Sequence, residues 1–342
     1  MGLGHMFRCF NFVEALPIDI NPVFLMKGVE EQARLTRLLI EYNWKVCYLP
    51  YEISMYEDAI ETVKVAKQEN AQLIVTDLCH RYILEQPELP SKYHRALKIN
   101  GSPFILSIED SRMHQFDSDA AVVWNSNENV WSKENHPNCS LLVGSKYFIC
   151  SPQFSVPTPA SPVREKAENI LVCIGGADPK GLTLKILESI SKIPSINICA
   201  ILGDGVSSAL KFDVKTFCEK QKNILILNQT YKMGEHLKWA DLAILGEGLV
   251  KCEAAIVGTP SLIISQFDHD SKPIVEFFKI GCSRHLCDAE NITKVDIPEA
   301  ILDILNDYEV RQKMSKAGLD YFDGKGVDRI YNKVLKKIFE NY

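Results

Sequence analysis

Two stretches of this chain run from an unbroken apolar segment straight into glycine: Asn169–Ile174 (NILVCI) into Gly175-Gly176, and Asp241–Leu245 (DLAIL) into Gly246 and Gly248. Short Val, Ile and Leu runs without polar alternation do not suit a sheet with one wet face. They suit strands buried on both sides, the condition of a parallel sheet covered by helices. Similar runs recur at Pro22–Lys27, Lys45–Pro50, Gln72–Leu78, Pro103–Asp110, Ala120–Trp124, Ile196–Leu202 and Asn223–Leu227. Amphipathic stretches with helical spacing lie between them, among them Glu30–Tyr42, Tyr56–Glu69, Leu182–Ser191 and Gly234–Trp239. The alternation predicts an α/β protein.

A segment with three prolines, Ser155–Arg164 (SVPTPASPVR), interrupts this alternation before it restarts, which marks a domain boundary. The 342 residues are enough for two cores. The expected organisation is two Rossmann-like, doubly wound domains: residues 1–154, a linker over 155–168, and residues 169–326. A final helix over 327–342 is expected to cross back over the first domain.

A net charge of −6, with no clustered Lys/Arg tract, speaks against nucleic acid as a partner. No apolar run approaches the ~18 residues of a membrane-spanning helix. The 11 cysteines are scattered through apolar segments with no CxxC pair, so they read as reduced core residues of a cytoplasmic protein. No His, Cys or carboxylate spacing of a metal site is present, and neither a metal nor another cofactor is expected.

In parallel sheets, ligands bind beyond the carboxyl ends of the strands, and the candidate residues fall there. Gly246–Pro260 (GEGLVKCEAAIVGTP) passes from a strand end into a helix start, where backbone amides face outward and suit an anion. Glu253, a lone carboxylate among small and apolar residues, suits hydrogen bonds from the hydroxyls of a ribose. Gly175–Pro179 (GGADP) forms a second such turn, although the pattern is not GxGxxG. Strand–glycine–helix junctions also occur as plain turns, and the residues alone leave both readings open. Asp77 and Asp110 end strands; each equally suits a cap or turn, and Asp110 is read as one. His5 follows Gly2 and Gly4 at the start of a helical pattern over Met6–Leu16, where the helix dipole disfavours imidazolium and a neutral general base results. An ordinary surface histidine is the alternative. A strand is expected before such a turn, yet only Met1 stands there, so either the true start lies upstream or the first strand of the domain is missing.

Several motifs occur together and in order: G-L-G-H-M-x-R-C at Gly2–Cys9, the strand ending in Asp77, L-L-x-G-x-K-Y at Leu141–Tyr147, G-G-x-D-P at Gly175–Pro179, and A-D-L-A-I followed by G-x-G-L-x-K-x-E at Ala240–Glu253. With them the chain resembles the nucleotide-sugar hydrolases of pseudaminic-acid synthesis and the related spore-coat polysaccharide proteins. These are akin to the glycosyltransferase that adds N-acetylglucosamine to the peptidoglycan lipid precursor. The resemblance implies a glycosyltransferase-B-type fold with an interdomain cleft and a UDP-sugar as substrate. It sets the glycine turns, Gly175 with Gly176 and Gly246 with Gly248, against the diphosphate and Glu253 on the ribose, with Asp178 and Lys251 in the same nucleotide site. His5 would activate water against the anomeric carbon, with Asp77 and Arg8 as helpers, although Arg8 equally suits a structural ion pair. Gly4, Gln266 and His269 are the candidates for sugar contacts. The chain departs from the family at Glu247, a carboxylate inside the turn meant for phosphate, and at Gln266–Asp270 (QFDHD), where some relatives carry an Asn-containing turn. The implied activity is UDP-sugar hydrolysis in nonulosonic-acid or surface-polysaccharide synthesis. The alternatives are glycosyl transfer from a UDP-sugar and non-catalytic nucleotide-sugar binding.

Overall fold

A computed structural model of the chain describes residues 4–28, 38–78, 88–108, 117–124, 136–155, 163–228, 230, 232–266 and 272–340. The helix expected over Glu30–Tyr42 and the linker expected over 155–168 fall partly outside these residues. Asp110 and His269 fall wholly outside them. The chain divides into two compact units, one of His5–Ser151 with Lys325–Tyr342 and the other built on Pro152–Gly324. No helix among the described residues is long and apolar enough to cross a membrane.

In the first unit every strand pair is parallel. Strands β1 (Val23–Lys27) and β2 (Lys45–Leu49) form one sheet; β3 (Leu73–Thr76), β4 (Phe104–Ile108), β5 (Ala120–Val123) and β6 (Ser140–Val143) form another in that order. The helix Met55–Gln68 starts at a capping box in which Ser54 and Glu57 exchange side-chain and backbone hydrogen bonds. It buries Ala59, Val63 and Ala66, a stripe with helical spacing, against Tyr93, Ala96 and Leu97 of the helix Leu89–Ile99 and against Ile74 and Ile105 of the sheet. The helix Gly4–Glu14 buries Phe10 in a cluster with Leu38, Leu39, Phe24 and Trp44, and buries Arg8, Asn11 and Phe12 as well.

The last segment belongs to this unit. Arg329 Nη1 donates to the carbonyl of Lys146 at 2.9 Å, and Lys333 Nζ bonds to the Tyr147 hydroxyl at 2.9 Å. Ile330 and Leu335 of the same segment are fully buried.

The second unit is a six-stranded sheet of β7 (Asn169–Cys173), β8 (Asn197–Leu202), β9 (Ile224–Asn228), β10 (Leu242–Gly246), β11 (Ser261–Ser265) and β12 (Ser283–Asp288), with the spatial order β12-β11-β10-β7-β8-β9. All its neighbours are parallel. Numbered within the unit, the order is 3-2-1-4-5-6, that of a doubly wound nucleotide-binding sheet, and its switch point lies between β7 and β10. Strands β10 and β11 are buried along their whole length, as the apolar runs require. Beneath the sheet Asp241 accepts hydrogen bonds from the amides of Glu168 and Asn169, both at 2.9 Å, and from Arg164 at 2.7 Å, fixing the start of β7 beside β10. β12, an edge strand with exposed Arg284 and His285, carries no apolar run and was not expected from the sequence.

Candidate functional site

The two glycine turns follow the two strands that flank the switch point of the second unit. Backbone meets backbone there: a Cβ on Gly246 would lie 2.2 Å from the carbonyl oxygen of Ile174, and one on Gly203, after β8, 2.4 Å from that of Gly176. Only glycine allows this approach. At Gly176 and Gly248, by contrast, a Cβ would meet nothing within 4 Å, so these glycines face open space.

The helices leaving the two turns differ at their amino ends. Asp178, buried and held at φ +41°, accepts the amides of Leu182 and Thr183, both at 2.8 Å. Its carboxylate therefore fills the anion position of the helix Leu182–Ile190 from within the protein, as a cap. The helix Val250–Val257 has no side-chain cap among the described residues. Its first turn carries Glu253, 9% exposed, whose carboxylate is bonded by no described residue. Burial without a compensating bond pushes that carboxyl up to about 7. The Cys173 thiol at the end of β7 is pushed up to about 12, by burial first and by Glu253 among the smaller causes, so the carboxylate sits near the switch point.

Two further polar atoms stand at the strand exits of this unit. Glu247 Oε1 and Ser265 Oγ, at the exits of β10 and β11, are buried without a hydrogen-bond partner among the described residues. Buried polar groups are normally paired, so each of these two atoms leaves a bond to be supplied. Among the described contacts of Lys251, Nζ donates to the backbone oxygens of Glu247 at 2.5 Å and Gly248 at 3.2 Å rather than to the Glu247 carboxylate. Gln266 straps β11 to β7, its Nε2 donating to the carbonyl of Ile174 at 3.0 Å. Lys180 adds a second tie, donating to the carbonyl of Gln266 at 3.0 Å while pairing with Glu290 at 2.5 Å. Gly203 and Lys180 carry no local signal in the sequence; each acts through an approach of segments far apart in the chain.

The first unit gathers His5, Arg8 and Asp77. Three residues apart on the helix Gly4–Glu14, His5 and Arg8 share a face. Asp77 stands just beyond the carboxyl end of β3. Arg8 Nε and Nη2 donate to the two oxygens of Asp77, each at 2.6 Å, and His5 Nδ1 lies 2.6 Å from Asp77 Oδ1. A carboxylate held by Arg8 can only accept, so Nδ1 carries the proton and the ring's lone pair falls on Nε2. The side chains of Arg8 and Asp77 are almost fully buried, 4% and 2% exposed, whereas that of His5 is 25% exposed. Gly4 opens the same helix, with open space where its Cβ would be. No group of three or more His, Cys, Asp or Glu among the described residues could hold a metal ion.

The fold is of glycosyltransferase-B type. Acinetobacter baumannii MurG superposes with a TM-score of 0.68 at 13% identity, covering 98% of this chain and 97% of that one. S. aureus MnaA, solved with UDP, superposes with a TM-score of 0.59 at 12% identity, covering 94% and 97%. In sequence the chain is similar to the spore coat polysaccharide biosynthesis protein SpsG of Bacillus subtilis strain 168, 25% identical over 343 residues that span 99% of this chain and 95% of that protein. No family model matches.

Proposed function

We propose that this chain is an enzyme of surface-polysaccharide synthesis that takes a glycosyl group from a UDP-sugar and delivers it to an acceptor hydroxyl. The observation that carries the reading is Glu253: a buried carboxylate without a described partner, in the first turn of an uncapped helix, at the switch point of a 3-2-1-4-5-6 sheet. A nucleoside diphosphate answers both needs, its ribose hydroxyls donating to Glu253 and its phosphates meeting the amides before Val250–Val257. The name of the B. subtilis relative and the UDP in the S. aureus structure support this choice of ligand and process.

In the reaction, His5 Nε2 takes the proton of the acceptor hydroxyl as its oxygen bonds to the anomeric carbon. The bond from that carbon to the diphosphate oxygen breaks, and UDP leaves with the electron pair. Asp77 holds the tautomer and stabilises the imidazolium that forms. The second reading is hydrolysis, with water in place of the acceptor; it is favoured by the match of His5 and Arg8 to the G-L-G-H-M-x-R-C motif on which the resemblance to hydrolases rests.

Incubation with a panel of UDP-sugars, with and without sugar acceptors, followed by mass detection of products, tests the proposal. A glycosylated acceptor is the expected result. Free sugar and UDP without acceptor would establish hydrolysis, and the absence of both with UDP still bound would reduce the chain to a binding protein.

A further inference from the structure

Gln266 stands at the exit of β11, with β10 between it and β7, yet its side-chain amide reaches β7. The path runs over Gly246: a Cβ there would lie 3.0 Å from Gln266 Nε2, which donates to the carbonyl of Ile174 at 3.0 Å. Only a residue without a side chain leaves that path open. The backbone of Gln266 is engaged as well, because Lys180 Nζ donates to its carbonyl at 3.0 Å while Glu290 holds the same ammonium at 2.5 Å. Ile174 immediately precedes the turn Gly175–Pro179, and Lys180 immediately follows it. A single residue from the end of another strand thus grips that turn at both ends.

What it grips is a pair of backbone amides. The carbonyl oxygens of Gly175 and Gly176 crowd Gly203 at the exit of β8, 2.6 and 2.4 Å from where its Cβ would be. A planar trans peptide sets N–H opposite C=O, so the amides of Gly176 and Ala177 turn away from β8. Since β7 lies between β8 and β10, they turn toward the switch point. Neither amide donates to a described backbone carbonyl. Asp178 secures the far part of the turn to the helix Leu182–Ile190, but the two glycines have no side chains with which to hold themselves. Glycine also loses more freedom on ordering than any other residue, so their arrangement depends on the ties at the ends.

We propose that Gln266 is a positioning residue rather than a sugar contact: with Lys180 it fixes the turn Gly175–Pro179 so that the amides of Gly176 and Ala177 are presented together to a phosphate. The phosphate rests on the UDP reading of the site; the grip on the turn does not. With its amide nitrogen committed to Ile174, Gln266 acts on the nucleotide through the turn.

The test compares the full chain with Gln266→Met, which keeps the length of the side chain and loses the donor. By 15N relaxation, the order parameters of the Gly176 and Ala177 amides should fall from the ~0.85 of rigid backbone toward ~0.6, while those of β7 and β10 stay unchanged. UDP, titrated by calorimetry, should bind about tenfold more weakly, because the turn must now be ordered on binding. Uridine, titrated by shift changes in the same spectra, lacks the phosphates and should bind within about twofold of the unaltered chain. Order parameters already low in the unaltered chain or unmoved in Gln266→Met, an unchanged UDP affinity, or an equal loss for UDP and uridine overturns the proposal. Should Gln266→Met not fold, Lys180→Met, which cuts the other tie, decides the same points. If the unaltered chain binds no UDP, the nucleotide reading fails, and the order parameters alone decide whether Gln266 grips the turn.

Discussion

A Cβ on Gly246 would stand 2.2 Å from the carbonyl oxygen of Ile174, so β10 can meet β7 at the switch point only without a side chain there. Gly246→Ala should therefore destabilise the second unit by about 1–3 kcal/mol through overpacking against the backbone. Gly248, two residues on, faces open space, and Gly248→Ala should leave stability within about 0.5 kcal/mol while weakening UDP binding. Urea unfolding and UDP titration of the two variants check the contrast; equal losses of stability would contradict it.

Glu253 makes a prediction about pH. Its folded-state value of about 7 lies above the ordinary 4.5, so between those values the unfolded chain has lost a proton that the folded chain still holds. The contribution of Glu253 to stability must fall as pH rises through this interval, by about 3 kcal/mol in all. Glu253→Gln removes the dependence: it should match the unaltered chain near pH 4 and exceed it by about that amount at pH 8. Parallel stability curves across this range would refute the assignment.

Asp178 caps two amides with one carboxylate at a positive φ. Asp178→Ala loses the cap and places alanine in the left-handed region, and should cost about 2–3 kcal/mol. Asp178→Asn, which keeps one acceptor and tolerates that backbone, should cost less than half as much. Added sulfate should narrow the deficit of the alanine variant, because the freed helix terminus becomes an anion site. A deficit that sulfate leaves untouched would show that the carboxylate matters for another reason.

His5 and Asp77 lie on the first unit, and the nucleotide site proposed here lies on the second. His5→Gln and Asp77→Asn should lower kcat by roughly 10²–10⁴ while leaving UDP affinity within about twofold. A variant that loses UDP binding in step with turnover would refute this division of roles.

The fold was largely legible because its central strands advertise themselves. Ile170–Cys173, Leu242–Gly246 and Ser261–Ser265 are buried on both faces, and a run of apolar residues is the direct imprint of that burial. Where burial is one-sided the imprint fades. β12 is a polar edge strand, and the helix Ser208–Cys218 buries only Val214 and Cys218, so neither was expected. Among the site residues, glycines after strands and a lone carboxylate on a helix carry local signals, and the structure brings His5, Arg8 and Asp77 together across 72 positions of sequence. The sequence could not separate the two helix starts. Asp178, which the resemblance sets in the nucleotide site, spends both oxygens on its own helix, a fact that depends on a positive φ no composition reveals.

The central claim is that Glu253 receives a ribose, and calorimetric titration with UDP at pH 8, where its carboxylate is ionised, tests it most directly. The unaltered chain should bind UDP saturably, and Glu253→Gln should bind it ~10–100-fold more weakly, the range for hydrogen bonds to a charged acceptor. Equal affinity in the two proteins, or no binding by the unaltered one, would contradict the account.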